Sequence, residues 1–345
     1  ENAKSWASNG YLTYQSINTD GLRYGIAVRI TSNGRQKVQY GRIYVEEADE
    51  IVLTIRSFIR DADGEGVHQT IACLSQLPES YENLFYRHVP LHREKYLSAR
   101  LEFDGWKNTD NEDLLSLAYQ GKQPPELMEK MWKYGRYLFI SGTDEKADPF
   151  PLYGLWGGGY DLIWSHNMAN ENTQMIYWHS FVGNLANYHR SLFRYYNDRM
   201  DIYRKNARNL FNCRGIYMTA GTTPHVSTPS QVVPVIINWV GAAGWLAQHY
   251  CTYASYRPEE EEYIRKEICP YLEETAAFYE DFIRYNADGT IKIYPSVSPE
   301  NTPQNFYASL DGDDRSSHAD NDQLYHRSGH YKGIFFRYDP ARKKV

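Results

Sequence analysis

The sequence predicts an α+β, multidomain chain in which β structure comes first and helices follow. Three observations predict it. Apolar residues alternate with a period of two through residues 1–60. From about residue 66 onward they recur every three to four positions. The order is a run of strands followed by a run of helices, which is not the pattern of a βαβ fold. A length of 345 residues suits two domains, or one large domain with an appendage, and is ample for a core without disulfide or metal staples.

The first strand is the clearest. Leu22, Tyr24, Ile26, Val28 and Ile30 fall on one face, with Arg23, Gly25, Ala27 and Arg29 on the other. Asn33-Gly34 follows as a hairpin signal, with Val38–Tyr40 and Ile43–Val45 as the return. A turn at Ala48–Glu50 precedes another strand, Ile51–Ile55. These strands suit an antiparallel sandwich or large sheet, and residues 1–65 read as the C-terminal part of a β-sandwich.

Helical spacing then begins at Ile71, Leu74, Leu77, Tyr81, Leu84, Phe85 and His88, broken by Pro78, with Ser80 as N-cap. Residues 66–123 are the expected helical linker region, and Asn108–Asp113 in it reads as polar linker. Pro124-Pro125 opens a helix carrying Leu127, Met131, Tyr134, Leu138 and Phe139. After a loop-rich passage, Gly142–Asn170, one stripe from about Gln174 runs through Trp178, Val182, Leu185, His189 and Tyr196. Trp239–Tyr256 and Pro270–Tyr285 are further helices, followed by a turn at Asp288-Gly289 and a short strand at Ile291–Tyr294. Residues 124–345 therefore read as a helical toroid or bundle.

Composition narrows function. Asp+Glu (43) exceed Lys+Arg (37), the net charge is −6, and no basic run stands out, which argues against a nucleic-acid partner. No apolar run approaches the ~18 residues of a membrane span. The longest, Val232–Trp245, is interrupted by Pro234, Asn238 and Gly241. Cys73, Cys213, Cys251 and Cys269 form no CxxC pair and read as buried free thiols. The histidines His166, His179, His189, His225 and His249 lack compact ligand spacing, so no metal and no cofactor are expected. Gly157–Gly159 lacks the ending of a phosphate loop, and no nucleophile elbow is present. Aromatic residues make up 15% of the chain and cluster around the motifs below, which suits a cleft that stacks sugar rings.

Three runs stand out: Asn170-Glu171-Asn172-Thr173-Gln174-Met175-Ile176-Tyr177-Trp178, Gly241–Tyr250, and Ser298-Pro299-Glu300-Asn301. Supporting runs are Tyr134–Leu138, Tyr153–Trp156, Cys213–Gly215, Ser80–Glu82 and Arg87–Val89. In this order they resemble the α-L-fucosidases and α-L-galactosidases of glycoside hydrolase family 95 over most of residues 20–305. The resemblance implies an N-terminal β domain, a helical linker and an (α/α)6 toroid, of which this chain carries a part.

Asn170 and Asn172 would point roughly 200° apart on a continuous helix, so they share a cleft only from a loop or first turn. Two readings stand: helix caps, or side-chain oxygens that orient a water at a sugar. The resemblance implies the second, with an Asp assisting as base. Glu300, after Ser298-Pro299, is either a favourable first-turn carboxylate or, as the resemblance implies, the acid of a glycosidase, set among Tyr294 and Tyr307. The family's base lies well downstream of the Ser-Pro-Glu-Asn run, and no residue here is assigned to it. Asp311, Asp313, Asp314 and Asp320 read as an acidic turn-rich loop.

Trp156, His166, Trp178, Trp245 and His249 are the substrate-binding candidates, each of which could equally be core; Trp164 is open in the same way. The expected activity is an inverting exo-glycoside hydrolase that removes terminal α-L-fucose or α-L-galactose from an oligosaccharide or polysaccharide. A secreted or periplasmic setting fits that work. The rival readings are a catalytically incomplete carbohydrate-binding remnant and a toroid-fold polysaccharide lyase, the latter disfavoured by the acidic balance.

Overall fold

Strands Lys4–Ser8 (β1), Tyr11–Ile17 (β2), Arg23–Ser32 (β3) and Ile51–Asp61 (β6) form one antiparallel sheet in the order β1-β2-β3-β6. The structure is a computed structural model that describes residues 3–18, 20–105, 108–157, 159, 166–223 and 234–297. Its chain divides into two compact units, Glu1–Glu94 and Lys95–Val345.

In the first unit the return strand of β3 is β6, paired Val28 to Ile55 and Ile30 to Leu53. This corrects the hairpin expected at Asn33-Gly34. Residues Arg35–Gln39 (β4) and Arg42–Glu46 (β5) instead make their own two-stranded ribbon, turned at Tyr40-Gly41 with φ +54° and +71°. Both positive φ values are those of a type I′ turn. Asn33 closes the neck of this excursion: its Oδ1 accepts from the backbone N–H of Asp49 (3.0 Å) and Glu50 (3.2 Å).

Helix Gly66–Ser75 (α1) covers the sheet face bearing Gly25, Ala27, Arg29 and Phe58. The Phe58 ring lies between Gly25 and Gly66, where an added Cβ would come within 2.7 Å and 2.4 Å of it. Arg29 is buried and donates to the Leu77 and Pro78 carbonyls (3.0 and 2.6 Å). On the opposite face Ile30 is buried and Ile26 and Val28 are half-buried, while Leu53 and Ile55 of β6 are 56% and 58% exposed. Helix Tyr81–Tyr96 (α2) crosses the division between the units and begins at Ser80, whose Oγ accepts from the Asn83 N–H (3.3 Å) as an N-cap does.

The second unit is helical. Helices Asn111–Tyr119 (α3) and Pro125–Gly142 (α4) come first, so the polar stretch read as linker already starts a helix at Asn111. A two-strand ladder joins Asn167–Met168 (β7) to Gly221–Thr222 (β8). The single stripe expected after Gln174 is two helices, Asn172–Val182 (α5) and His189–Asn197 (α6), separated where Asn184 takes φ +56°. Met200–Phe211 (α7) follows, a helix the spacing analysis did not identify. Pro234–Ile237 (α8), Ala242–Tyr256 (α9), Glu261–Tyr263 (α10) and Cys269–Phe282 (α11) complete the helices, with a π-helical turn at Ile264–Ile268. A small ribbon, Arg284–Tyr285 (β9) and Ile291–Lys292 (β10), ends the described chain.

Tyrosine builds this unit's core. Tyr177, Tyr196, Tyr203, Tyr217, Tyr250, Tyr253 and Tyr271 are each essentially inaccessible. Their hydroxyls link elements that the rings pack together: Tyr250 donates to Asn197 Oδ1 (3.0 Å), Tyr217 to the Ile237 carbonyl (2.7 Å) and Tyr271 to the Ala243 carbonyl (3.2 Å). Tyr250 and Tyr271 stack at 4.0 Å and 6°. Much of the aromatic excess is therefore core with a polar tip, which corrects its reading as a sugar-stacking surface. The four cysteines are free thiols, but Cys73 is exposed and only Cys213 is fully buried.

Candidate active site

Asn170 lies in the turn between β7 and α5, and Asn172 is the first residue of α5. That is the loop-and-first-turn placement their two-residue spacing demands. Neither asparagine caps: the N-cap position is Glu171, with no side-chain cap bond. Asn170 Oδ1 is buried and finds no donor among the described residues. The capping reading therefore lacks its hydrogen bond, and an acceptor is left at the head of α5.

The turn is held from both sides. The Ala169 N–H donates to the Ala220 carbonyl (2.6 Å), extending the β7–β8 pairing, and Gln174 Nε2 donates to the Ala169 carbonyl (2.6 Å). Tyr195, from α6, supports β8 by donating to Thr222 Oγ1 (3.1 Å). His166 is half-buried, its ring set against Gly221, where a Cβ would stand 2.7 Å away; burial lowers its pKa.

Trp156 is 47% exposed and stacks on Phe150, which in turn stacks on Phe139. Gly154 makes room for this pile, since a Cβ there would fall within 2.5 Å of Phe150 and 2.8 Å of Trp156. Trp178 is 40% exposed and lies parallel to the His249 ring at 6.0 Å. Trp245 is partly buried against the main core.

His249 is fully buried. Its Nδ1 is 3.0 Å from His189 Nε2, and Ser180 Oγ is 3.2 Å from His189 Nδ1. Phe181 stacks on His189 at 4.0 Å. Burial, then the neighbouring His249, hold His189 well below the usual imidazole range, and burial pushes His249 down to about 4. Both rings are thus neutral. Ser180, His189 and His249 therefore form one chain of hydrogen bonds in which each ring carries a single proton, and His249 Nε2 at its end has no partner among the described residues.

Helices α5 and α9 run side by side in parallel. Trp178 meets His249, and Phe181, one turn on, meets both His249 and Tyr256. Their N-terminal ends therefore share one end of the unit. Val297, three residues before Glu300, is pinned at that end by donating its N–H to the Asn238 carbonyl (3.0 Å), just ahead of α9. Glu300 itself lies outside the described residues, as do Gly158, Trp164, His225, Tyr307, Asp311, Asp313, Asp314 and Asp320.

The sequence reading missed two participants. Gln174 stood inside the quoted motif but was taken only as part of its pattern, and His189 was read as one of a hydrophobic stripe. A polar side chain on the buried face of a helix was the available signal in both cases.

Comparison with known proteins places these observations. The glycosyl hydrolase family 95 catalytic domain matches residues 80–324. Alpha-L-fucosidase 2 of Arabidopsis thaliana is 26% identical over 302 residues, covering 81% of this chain and 36% of the relative. Probable alpha-fucosidase A of Aspergillus niger is 27% identical over 243 residues, covering 66% of this chain and 30% of the relative. The chain thus spans about a third of the length of these relatives. Among solved structures, a putative kojibiose phosphorylase from human microbiome shares the fold, with a TM-score of 0.59, 13% identity, and coverage of 86% of this chain and 39% of that one. An antiparallel sheet followed by a helical unit is common ground between fold and sequence, and with the catalytic-domain match over more than half its length, the chain belongs to glycoside hydrolase family 95.

Proposed function

We propose that the chain is the portion of an inverting, exo-acting α-L-fucosidase that carries the acid and the water-orienting asparagines. Residues 124–345 would form part of an (α/α)6 barrel, residues 66–123 the helical linker to it, and residues 1–65 part of a β-sandwich whose second layer covers Leu53 and Ile55. Terminal α-L-fucose, or α-L-galactose, on an oligosaccharide or polysaccharide is the substrate.

The observation that carries this reading is the uncapped Asn170–Asn172 turn in a chain of this family. Inversion requires a water on the face of the sugar opposite the leaving oxygen, with acid and base carboxyls about 6.5–9.5 Å apart. The Asn170–Asn172 side-chain oxygens accept one proton of such a water, which leaves its other proton for the base and turns its lone pair toward the anomeric carbon. Glu300 donates a proton to the leaving oxygen, and a carboxylate base takes one from the water. Trp156 and Trp178 offer exposed ring surface for apolar sugar faces, His166 and Trp245 are partly exposed candidates, and the fully buried His249 acts from behind Trp178.

A second reading is a carbohydrate-binding remnant of such an enzyme, since no residue here is assigned as the base. Release of L-fucose from 2'-fucosyllactose by wild type, Glu300→Gln and Asn170→Gly separates the two. The proposal expects release by wild type and its loss in both variants. Release that survives Glu300→Gln removes the acid assignment. A folded wild type that binds L-fucose without releasing it is the remnant.

A further inference from the structure

Gln174 sits on the buried face of α5, two residues after Asn172, with 0% exposure. Its Nε2 reaches back five residues to the Ala169 carbonyl at 2.6 Å. Only the NH₂ end of an amide can face a carbonyl, so chemistry fixes the orientation and Oε1 points away. Oε1 is buried and has no donor among the described residues. The amide therefore serves one buried partner, the Ala169 carbonyl, which a methionine of similar size would leave without a donor.

What the amide does control is the peptide next to Asn170. The Ala169 N–H is held by the Ala220 carbonyl and the Ala169 C=O by Gln174, so the two peptide planes that flank the Ala169 Cα are each held by one hydrogen bond, and the second of them is the peptide shared with Asn170. Asn170 follows directly, with its own Oδ1 unpaired. We infer that Gln174 is a positioning residue for the Asn170–Asn172 turn: its N–H sets the Ala169 peptide plane, and through it the direction in which Asn170 presents its oxygen to water or a sugar hydroxyl. This rests on the role proposed above for the two asparagines.

Two variants of the full chain test it. Gln174→Met removes the donor and the unmet acceptor together. Gln174→Glu keeps the shape, but only its protonated form can donate to the Ala169 carbonyl. Burial raises such a carboxyl's pKa, so the donor is present below that raised value and lost above it. The Met variant exchanges the unmet Oε1 for an unmet Ala169 carbonyl, so its melting temperature is expected to stay close to that of wild type, while amides of residues 167–172 exchange at least about tenfold faster. Its kcat for L-fucose release falls about tenfold or more with KM within about threefold. The Glu variant retains release at acid pH and loses it as pH rises, along a limb absent from wild type. Unchanged exchange in Gln174→Met, activity lost only in step with melting temperature, or a Glu profile parallel to wild type would each overturn the inference. Should wild type release no L-fucose, the fucosidase reading falls, and the exchange measurement alone decides the role of Gln174.

Discussion

His249 Nδ1 and His189 Nε2 meet at 3.0 Å inside the helical unit, both rings fully buried and both neutral. The pair joins α9 to α6, and Phe181 and Trp178 of α5 stack against it. The folded pKa of His249 is about 4, against an ordinary value of 6.5. Between those two values the unfolded chain binds a proton that the folded chain refuses, so stability rises with pH there and is flat above it. The difference corresponds to roughly 3 kcal/mol lost on acidification from pH 7 to 4. Urea unfolding of wild type and His249→Phe at pH 7.0, 6.0 and 5.0 checks it. The variant is expected to be less stable at pH 7, because His189 Nε2 loses its hydrogen-bond partner, and to show a shallower acid slope. An identical slope in both proteins would show that the pair does not titrate with folding.

Arg136 offers a second stability test. It is buried in α4 without a carboxylate partner among the described residues, and its donors go to the carbonyls of Tyr96 (2.8 Å), Lys95 (2.5 Å) and Gly183 (2.6 Å) and to Ser98 Oγ (2.8 Å). One planar guanidinium thus ties the end of α2 to α4 and to the turn after α5. Arg136→Met should cost about 2–3 kcal/mol, since the buried Gly183 carbonyl and three part-buried acceptors lose their donor at once. Arg136→Lys should recover little of it, because a single ammonium cannot reach a fork of four oxygens. Denaturant midpoints of the two variants decide the matter; a lysine variant matching wild type would contradict it.

The two faces of the β1-β2-β3-β6 sheet should respond in opposite ways. Gly66→Ala places a methyl against the Phe58 ring, and overpacking of this kind costs about 1–3 kcal/mol. Phe58→Leu should relieve part of that cost when the two are combined. Leu53→Thr and Ile55→Thr, on the opposite face, should each change stability by no more than about 0.5 kcal/mol. Equal losses on both faces, by urea unfolding, would contradict the assignment of α1 to the Gly25 and Ala27 side.

That inversion shows where periodicity stops being informative. Alternation in β3 identifies two faces from sequence, but the face that gets covered is set by what can approach it. Gly25, Ala27 and Gly66 admit the Phe58 ring and bring α1 close, while the face of the larger Ile26 and Val28 stays half-buried. Asn33-Gly34 misled for a related reason: its turn chemistry is used at the neck of a ribbon, where Asn33 binds Asp49 and Glu50 at a sequence distance no local rule reaches. The helix break at Asn184 was hidden because the apolar stripe continues in phase on both sides of it. At the candidate site, the placement of Asn170 and Asn172 was legible, since their spacing already excluded a continuous helix. Gln174 and His189 were not, because their partners are a backbone carbonyl and a ring 60 residues away, and neither leaves a mark in spacing.

The central claim, a water oriented by Asn170 and Asn172 and protonation of the leaving oxygen by Glu300, is tested most directly by the anomer released first. Proton NMR of 2'-fucosyllactose hydrolysis in its first minutes, before mutarotation, should show β-L-fucose from the α-linked substrate, with none from Asn170→Gly or Glu300→Gln. First appearance of α-L-fucose, or undiminished release by either variant, would contradict the account.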